Sequence, residues 1–241
     1  MAKQKSLGIL ILVGGFLLGG SRAVLAQDFR LEWVYHDKVR ELLSSQRVAR
    51  LEDFEQVALQ CFTADSAHLF WSHLRQYEID VPVDRAWQTY LGIAPEKAWK
   101  GGLVDFGLCY APDEQKVYWP FEPFSGLREG QLHFMELNIL GLAEIAVGHQ
   151  VVEVSAKARR IGFCYLQEGE SAGSQWIQLR ALGPQKTAVV HYTRYHSDSY
   201  FRDTKLYPLF HSLVIDRFHK NVRKEAEKRY RAEAMGPVAQ E

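Results

Sequence analysis

The chain has 241 residues, 29 basic and 29 acidic side chains, and a 47% hydrophobic share. That is enough for one sizeable domain with its own core, and the level charge gives no reason to expect nucleic acid or a strongly anionic surface as partner. No phosphate-binding glycine pattern occurs, and the G-x-S-x-G at Gly169 to Gly173, around Ser171, reads as a hairpin loop between strands rather than a strand-to-helix elbow, so nucleotide-dependent and nucleophile-elbow chemistry lack their usual carriers.

Residues 1–26 are laid out as a cleavable secretory signal peptide: Lys3 and Lys5, the apolar run Leu7 to Leu18, then small residues up to Ala26. The run falls short of the roughly 20 apolar residues a membrane span needs, and Gly19, Gly20, Ser21 and Arg22 argue for cleavage over anchoring. The mature chain is expected to begin near Gln27, in the periplasm or outside the cell, with any membrane contact transient. Cys61, Cys109 and Cys164 are an odd count for an oxidising destination. They permit one disulfide without choosing among three pairings, and their aromatic neighbours favour reading them as buried small hydrophobes.

Over residues 27–62, apolar side chains recur at three- and four-residue steps (Leu31, Val34, Tyr35, Val39, Leu42, Leu43, then Val48, Leu51, Phe54). This predicts two helices or one broken helix between Glu32 and Gln60. From Ser72 to Val81 the period drops to two, with Tyr77, Ile79 and Val81 opposite Gln76, Glu78 and Asp80, which predicts a half-exposed strand. Pro82 ends it, and Asp84 is a candidate N-cap for a short helix through Tyr90, with another helical turn at Glu96 to Trp99. Seven strands then follow: Leu103 to Tyr110, Val117 to Pro120, Gly130 to Leu140, Ala146 to Val154, Arg160 to Leu166, Ser174 to Leu182 and Thr187 to Tyr195. Their short, turn-rich connections favour an antiparallel meander. An amphipathic helix, about Lys205 to Ala232, closes a domain spanning 63–235, and residues 236–241 are expected to be a disordered tail. The predicted class is α+β: a curved antiparallel sheet wrapped around a long C-terminal helix, with extra N-terminal helices. Such a helix-grip leaves an apolar cavity between sheet and helix, and cavities of that kind are default binding sites.

Between Ser72 and Lys224 the sequence resembles the START/birch-pollen-allergen superfamily, also called SRPBCC. The carriers are Ile79-Asp80-Val81-Pro82-Val83-Asp84-Arg85-Ala86-Trp87, similar to that family's first strand and tryptophan-bearing helix, and the C-terminal grip helix. The stretches Gly148 to Val154 and Arg159 to Tyr165 look like an uncharacterised bacterial and plant branch. The resemblance implies a cavity for lipids, sterols or other apolar molecules more firmly than any reaction, although some members are polyketide cyclases or hydrolases. The N-terminal segment has no counterpart in the minimal domain.

The densest polar and aromatic cluster runs from His191 to Tyr200. Alternation places His191, Thr193 and Tyr195 on one face and Tyr192, Arg194 and His196 on the other, without deciding which is inward. If the first set is inward, His191 and Tyr195 are candidate hydrogen-bond donors or an acid–base pair, against the plainer reading of an ordinary buried pair. Arg194 and Asp198 are expected to form a surface ion pair of little energetic weight. On the final helix His211 lies one turn from Tyr207 and shares a face with Val214, Ile215 and Phe218, while His219 follows on a similar face. A two-histidine metal site is conceivable there but lacks a third ligand at the usual spacing. Trp176, Tyr165, Phe134 and Met135 are candidates for cavity wall or core. The expected ligand set is therefore Tyr165, Trp176, His191 and Tyr195 from the sheet, with Tyr207, His211, Val214 and Phe218 from the helix; no metal or cofactor is expected. The leading expectation is an exported binding or carrier protein for a lipid-like or other apolar small molecule. A cyclase- or hydrolase-like enzyme using His191, Tyr195 and His211 is second, and a ligand-free interaction module with its groove covered by the N-terminal helices is third.

Overall fold

A computed structural model describes residues 28–141 and 143–235. The signal segment 1–26 and the tail 236–241 lie outside the described residues.

Period-two patterning yields eight antiparallel strands: β1 Trp71–Ile79, β2 Val104–Ala111, β3 Lys116–Tyr118, β4 Leu132–Ile139, β5 Ala143–Ser155, β6 Arg160–Tyr165, β7 Ala172–Gly183 and β8 Lys186–His196. They form one sheet in the order β1-β8-β7-β6-β5-β4-β2-β3, so every neighbour pair from β4 to β8 is a simple meander and β1 closes against β8. Register shifts between Phe106 and Leu108 and between Val151 and Glu153 mark bulges, which strengthen local twist and re-aim side chains. Three helices pack on the inner face: α2 Val83–Gly92, α3 Pro95–Ala98 and α4 Tyr207–Met235, numbered after α1 Asp37–Ser45 on the outer face. A helix-grip is the result.

The helix α4 is held differently along its length. Its distal half buries Phe218, Val222 and Ala226 among Ile79, Trp87, Tyr90 and Ile177, and Asn221 donates to the carbonyls of Ala98 (3.0 Å) and Lys100 (2.9 Å). At its middle Asp216 accepts from Arg75 (2.7 Å) and the Tyr77 hydroxyl (2.6 Å) on β1. Its proximal turns leave Leu206, Leu209 and Leu213 exposed. A π-helical turn, Arg202–Leu206, leads into it. That turn is pinned through buried Asp203, whose carboxylate accepts from the Ser197 amide (3.0 Å) and hydroxyl (2.6 Å).

Apolar recurrence in residues 28–62 reflects docking on the sheet more than helix formation. Only α1 is an α-helix; Leu31–Trp33 and Leu51–Gln56 are 3-10 turns, and Tyr35 points outward at 88% exposure. The segment inserts Phe29, Val39, Leu42, Leu43 and Phe54 against Leu108, Tyr110, Leu132 and Phe134, on the face opposite α4. It neither fills nor covers the groove. Gly148 makes this approach possible: a Cβ there would lie 2.5 Å from Leu166 and 3.2 Å from Leu42.

Two further expectations are corrected. Asp84 is not the N-cap of α2: Pro82 holds that position without a side-chain bond, and Asp84 lies in the first turn, where its charge suits the helix dipole and bonds Arg159. The cysteines do not all act as small hydrophobes. Residues 58–60 run beside β6, with the Gln60 amide donating to the Tyr165 carbonyl (2.9 Å), which brings Cys61 to Cys164 in a disulfide. Cys109 is the buried free thiol.

Candidate functional site

Between β4, β5, β6 and the proximal half of α4 lies a cavity of about 400 Å³. Aliphatic side chains make most of its wall, among them Met135, Leu137, Ile145, Val147, Phe210 and Val214. At the mouth Arg202 and Glu170 pair through Arg202 Nη1. A second cavity of about 50 Å³ lies deeper, against Tyr90, His133, His191 and Phe218, and shares Trp99, His149 and Gln175 with the first.

A polar belt crosses the inner face of the sheet at this level. Its register is direct: Cys109 pairs with His133, His133 with His149, and His149 with Tyr165. Gln175 continues the belt, its Nε2 donating to the Tyr165 hydroxyl (2.8 Å) and its Oε1 lying 2.9 Å from His191 Nε2 and 3.3 Å from His211 Nε2. His191 Nδ1 meets His219 Nε2 (2.8 Å), and His219 Nδ1 meets the Tyr90 hydroxyl (2.6 Å). From the helix, His211 Nδ1 reaches His73 Nδ1 (3.1 Å), whose Nε2 is 3.0 Å from Ser212 Oγ. The Tyr165 and Tyr207 hydroxyls are 2.6 Å apart.

Burial sets the charge state of this belt. Desolvation pushes His191 down to about 3 and His133 down to about 4, and holds His149, His211 and His219 well below the usual imidazole value, with neighbouring histidines adding to the effect. The same desolvation raises the Tyr165 and Tyr207 hydroxyls. The site is therefore a neutral hydrogen-bonding surface at physiological pH. His149 stands apart within it: its ring stacks on His133 (5.6 Å) and meets the edge of Phe163 (4.9 Å), yet Nδ1 is buried with no hydrogen-bond partner.

Of the residues singled out from sequence, Tyr165, Tyr207, His211 and Val214 line the large cavity, and His191 and Phe218 the small one. His191, Thr193 and Tyr195 form the inward set. His191 has both ring nitrogens engaged, and Tyr195 lies beneath the Tyr207 ring (3.6 Å) with its hydroxyl donating to the Asp203 carbonyl (2.7 Å). Neither presents a free reactive edge. Trp176 is a correction: it pairs with Tyr192 across β7 and β8 and stacks on it (5.8 Å) on the outer face, because Gln175 and Ile177 take the inward positions. Phe134 likewise faces outward into the N-terminal cluster while Met135 lines the cavity. Asp198 lies 3.4 Å from Arg202 rather than against Arg194, whose guanidinium bonds the Ala67 carbonyl (2.8 Å) and covers the Phe62 ring. His219 serves the belt, and among the described residues no group of three His, Cys, Asp or Glu is arranged to hold a metal ion. His133, His149 and Gln175 went unnoticed as site residues, although period-two alternation with Val147 and Val151 could have placed His149 inward.

An antiparallel sheet gripping a C-terminal helix over a lined cavity defines the helix-grip class. The structure is similar to norcoclaurine synthase from Thalictrum flavum. A point mutant of that enzyme in complex with a transition-state analogue matches with a TM-score of 0.51 and 13% identity over 67% of this chain and 96% of the other. Its complex with dopamine and hydroxybenzaldehyde matches with a TM-score of 0.50 and 13% identity over 71% and 96%. The sequence matches no family model and no curated protein. The norcoclaurine synthase structures share the fold, and it is the helix-grip that the sequence resemblance implied.

Proposed function

We propose that this is an exported binding or carrier protein that holds a small, mainly apolar molecule between the sheet and α4. The observation that carries the reading is the cavity of about 400 Å³, within the range of small-molecule sites, apolar over most of its wall with a few polar groups at one end. Norcoclaurine synthase, which shares the fold, is seen with dopamine and hydroxybenzaldehyde, and this supports a small-molecule ligand. Engagement of His191 and Tyr195 within the core favours binding over acid–base catalysis. Export is supported by the disulfide Cys61–Cys164, since such bonds persist in oxidising compartments.

Native mass spectrometry of protein taken from its own compartment, followed by organic extraction, tests the reading. A stoichiometric apolar molecule is expected, and Val214→Trp, which fills the cavity, should release it. Repeated recovery of empty protein that also fails to bind the neutral apolar probe N-phenyl-1-naphthylamine would overturn it. Residues 1–26 fused to a reporter should direct export with a cut after Ala26; a reporter retained in the cytoplasm would refute that part.

A further inference from the structure

The direction of each hydrogen bond in the belt can be worked out from its chemistry. A neutral imidazole has one N–H and one bare nitrogen. Gln175 Oε1 faces His191 Nε2 at 2.9 Å, so that ring carries its proton there, while His211 Nε2 lies farther off at 3.3 Å. His191 Nδ1 is then bare and accepts from His219 Nε2, whose own Nδ1 accepts from the Tyr90 hydroxyl. On the other side the Ser212 hydroxyl gives its proton to the Pro208 carbonyl (2.7 Å), so His73 Nε2 donates to Ser212 Oγ and the bare His73 Nδ1 accepts from His211 Nδ1. The Tyr90–His219–His191 arm runs toward Gln175, and the His211–His73–Ser212 arm runs away from it to the Pro208 carbonyl. Gln175 Nε2 donates onward to Tyr165 (2.8 Å), and polarisation along the chain favours Tyr165 in turn donating to the Tyr207 hydroxyl 2.6 Å away. The Tyr207 O–H, on a ring that lines the large cavity, is left without an acceptor.

His149 supplies a second spare donor. A buried unpaired N–H is rarer and costlier than an unpaired lone pair. With Nδ1 enclosed and unpartnered, the proton belongs on Nε2, along the ring edge that reaches the two cavities His149 lines. The two donors are neighbours, since His149 pairs with Tyr165 in register and Tyr165 touches Tyr207.

We propose that the cavity takes a neutral, mainly apolar molecule bearing a carbonyl oxygen, of the ketone, quinone or ester class, received by the Tyr207 O–H and the His149 Nε2–H. The proposal rests on the cavity reading above and adds the ligand's chemical class. A carboxylate does not fit the inner end: among the described residues lining the cavity Arg202 is the one cation, and it sits at the mouth bonded to Glu170, so a buried anion would go uncompensated.

Four probes on one skeleton test this: 2-acetylnaphthalene, 1-(2-naphthyl)ethanol, 2-isopropylnaphthalene and 2-naphthoate, titrated into the full mature chain by calorimetry, with the carbonyl stretch of the bound ketone read by infrared difference. The ketone should bind at least about tenfold more tightly than the hydrocarbon, the worth of one good hydrogen bond, and its stretch should fall below that in hexane. Tyr207→Phe and His149→Phe should each erase much of that preference, read as the ratio of ketone to hydrocarbon affinity within the same variant, and raise the stretch. Should either variant fail to fold, the stretch in the wild-type protein still decides. Equal binding of ketone and hydrocarbon with an unshifted stretch would overturn the proposal while leaving the cavity reading intact. Tighter binding of the alcohol would mean that the chain runs the other way, and tighter binding of 2-naphthoate that the site selects anions; each overturns it. Failure of all the probes to bind would bring down the cavity reading as well.

Discussion

At the scale of single residues, the belt shows how costly polar groups are kept inside a core. His219 answers two of them at once, the Tyr90 hydroxyl and His191 Nδ1. His219→Phe strands both, so unfolding in urea should show a loss of about 2–6 kcal/mol, about 1–3 for each stranded group; unchanged stability would contradict the bonding described. Acid should act through the same rings. His191 titrates at about 3 in the folded protein against 6.5 unfolded, so below 6.5 the unfolded chain binds a proton that the folded one refuses. Stability is then full above pH 6.5 and falls as pH drops toward 3, by up to about 1.4 kcal/mol per pH unit for each such histidine. Thermal melts at pH 7.5 and 5.0 should show a marked drop in Tm, and a flat profile would count against neutral burial. Alternation in the sequence grouped His191, Thr193 and Tyr195 correctly but could not say which face was inward, because Val189 and Val190 are both apolar. It could not show that Tyr195 spends its hydroxyl on the Asp203 carbonyl, which depends on a turn eight residues later.

At the scale of elements, the strands were legible because the sheet's period is short and its turns carry Gly, Pro and Asp; the expected Arg160 to Leu166 became Arg160–Tyr165. The N-terminal segment was harder to read. Helical spacing and docking spacing coincide over a few residues, so Phe54, on a 3-10 turn, satisfies the pattern without an α-helix by stacking on Tyr110 (4.6 Å). That segment is fastened at its end by Cys61–Cys164, across a separation of 103 residues. Replacing both cysteines by alanine should cost about 2–5 kcal/mol, read as a lower denaturation midpoint. Reductant should do the same to the wild-type protein and nothing to the double variant. Phe54→Ala should cost about 3–5 kcal/mol in the same assay, and a loss below 1 kcal/mol would mean that the outer-face layer is not part of the core.

At the scale of the whole molecule, the grip architecture followed from one long amphipathic helix and a meander with a curved face to cover. The division of its inner space into two cavities did not, because it depends on where His149 and Gln175 cross the sheet. A molecule held in the larger cavity should raise stability by mass action, by about 2.7 kcal/mol at a hundredfold excess over Kd, and Val214→Trp should abolish that gain. How a guest gets in follows from the unequal fastening of α4. Beyond Asp216 the helix is cemented into the core by apolar packing, whereas over the large cavity its first turns expose Leu206, Leu209 and Leu213 and are held by polar and ring contacts, Asp203 with Ser197, Tyr207 with Tyr165 and Tyr195, and His211 with His73. It resembles a beam built into a wall at one end and latched at the other. Freeing the latch would let the near end lift while the far end stays seated, admitting cargo without unfolding the domain. Hydrogen exchange should accordingly be faster at residues 205–213 than at 216–230, and Asp203→Asn should widen that contrast.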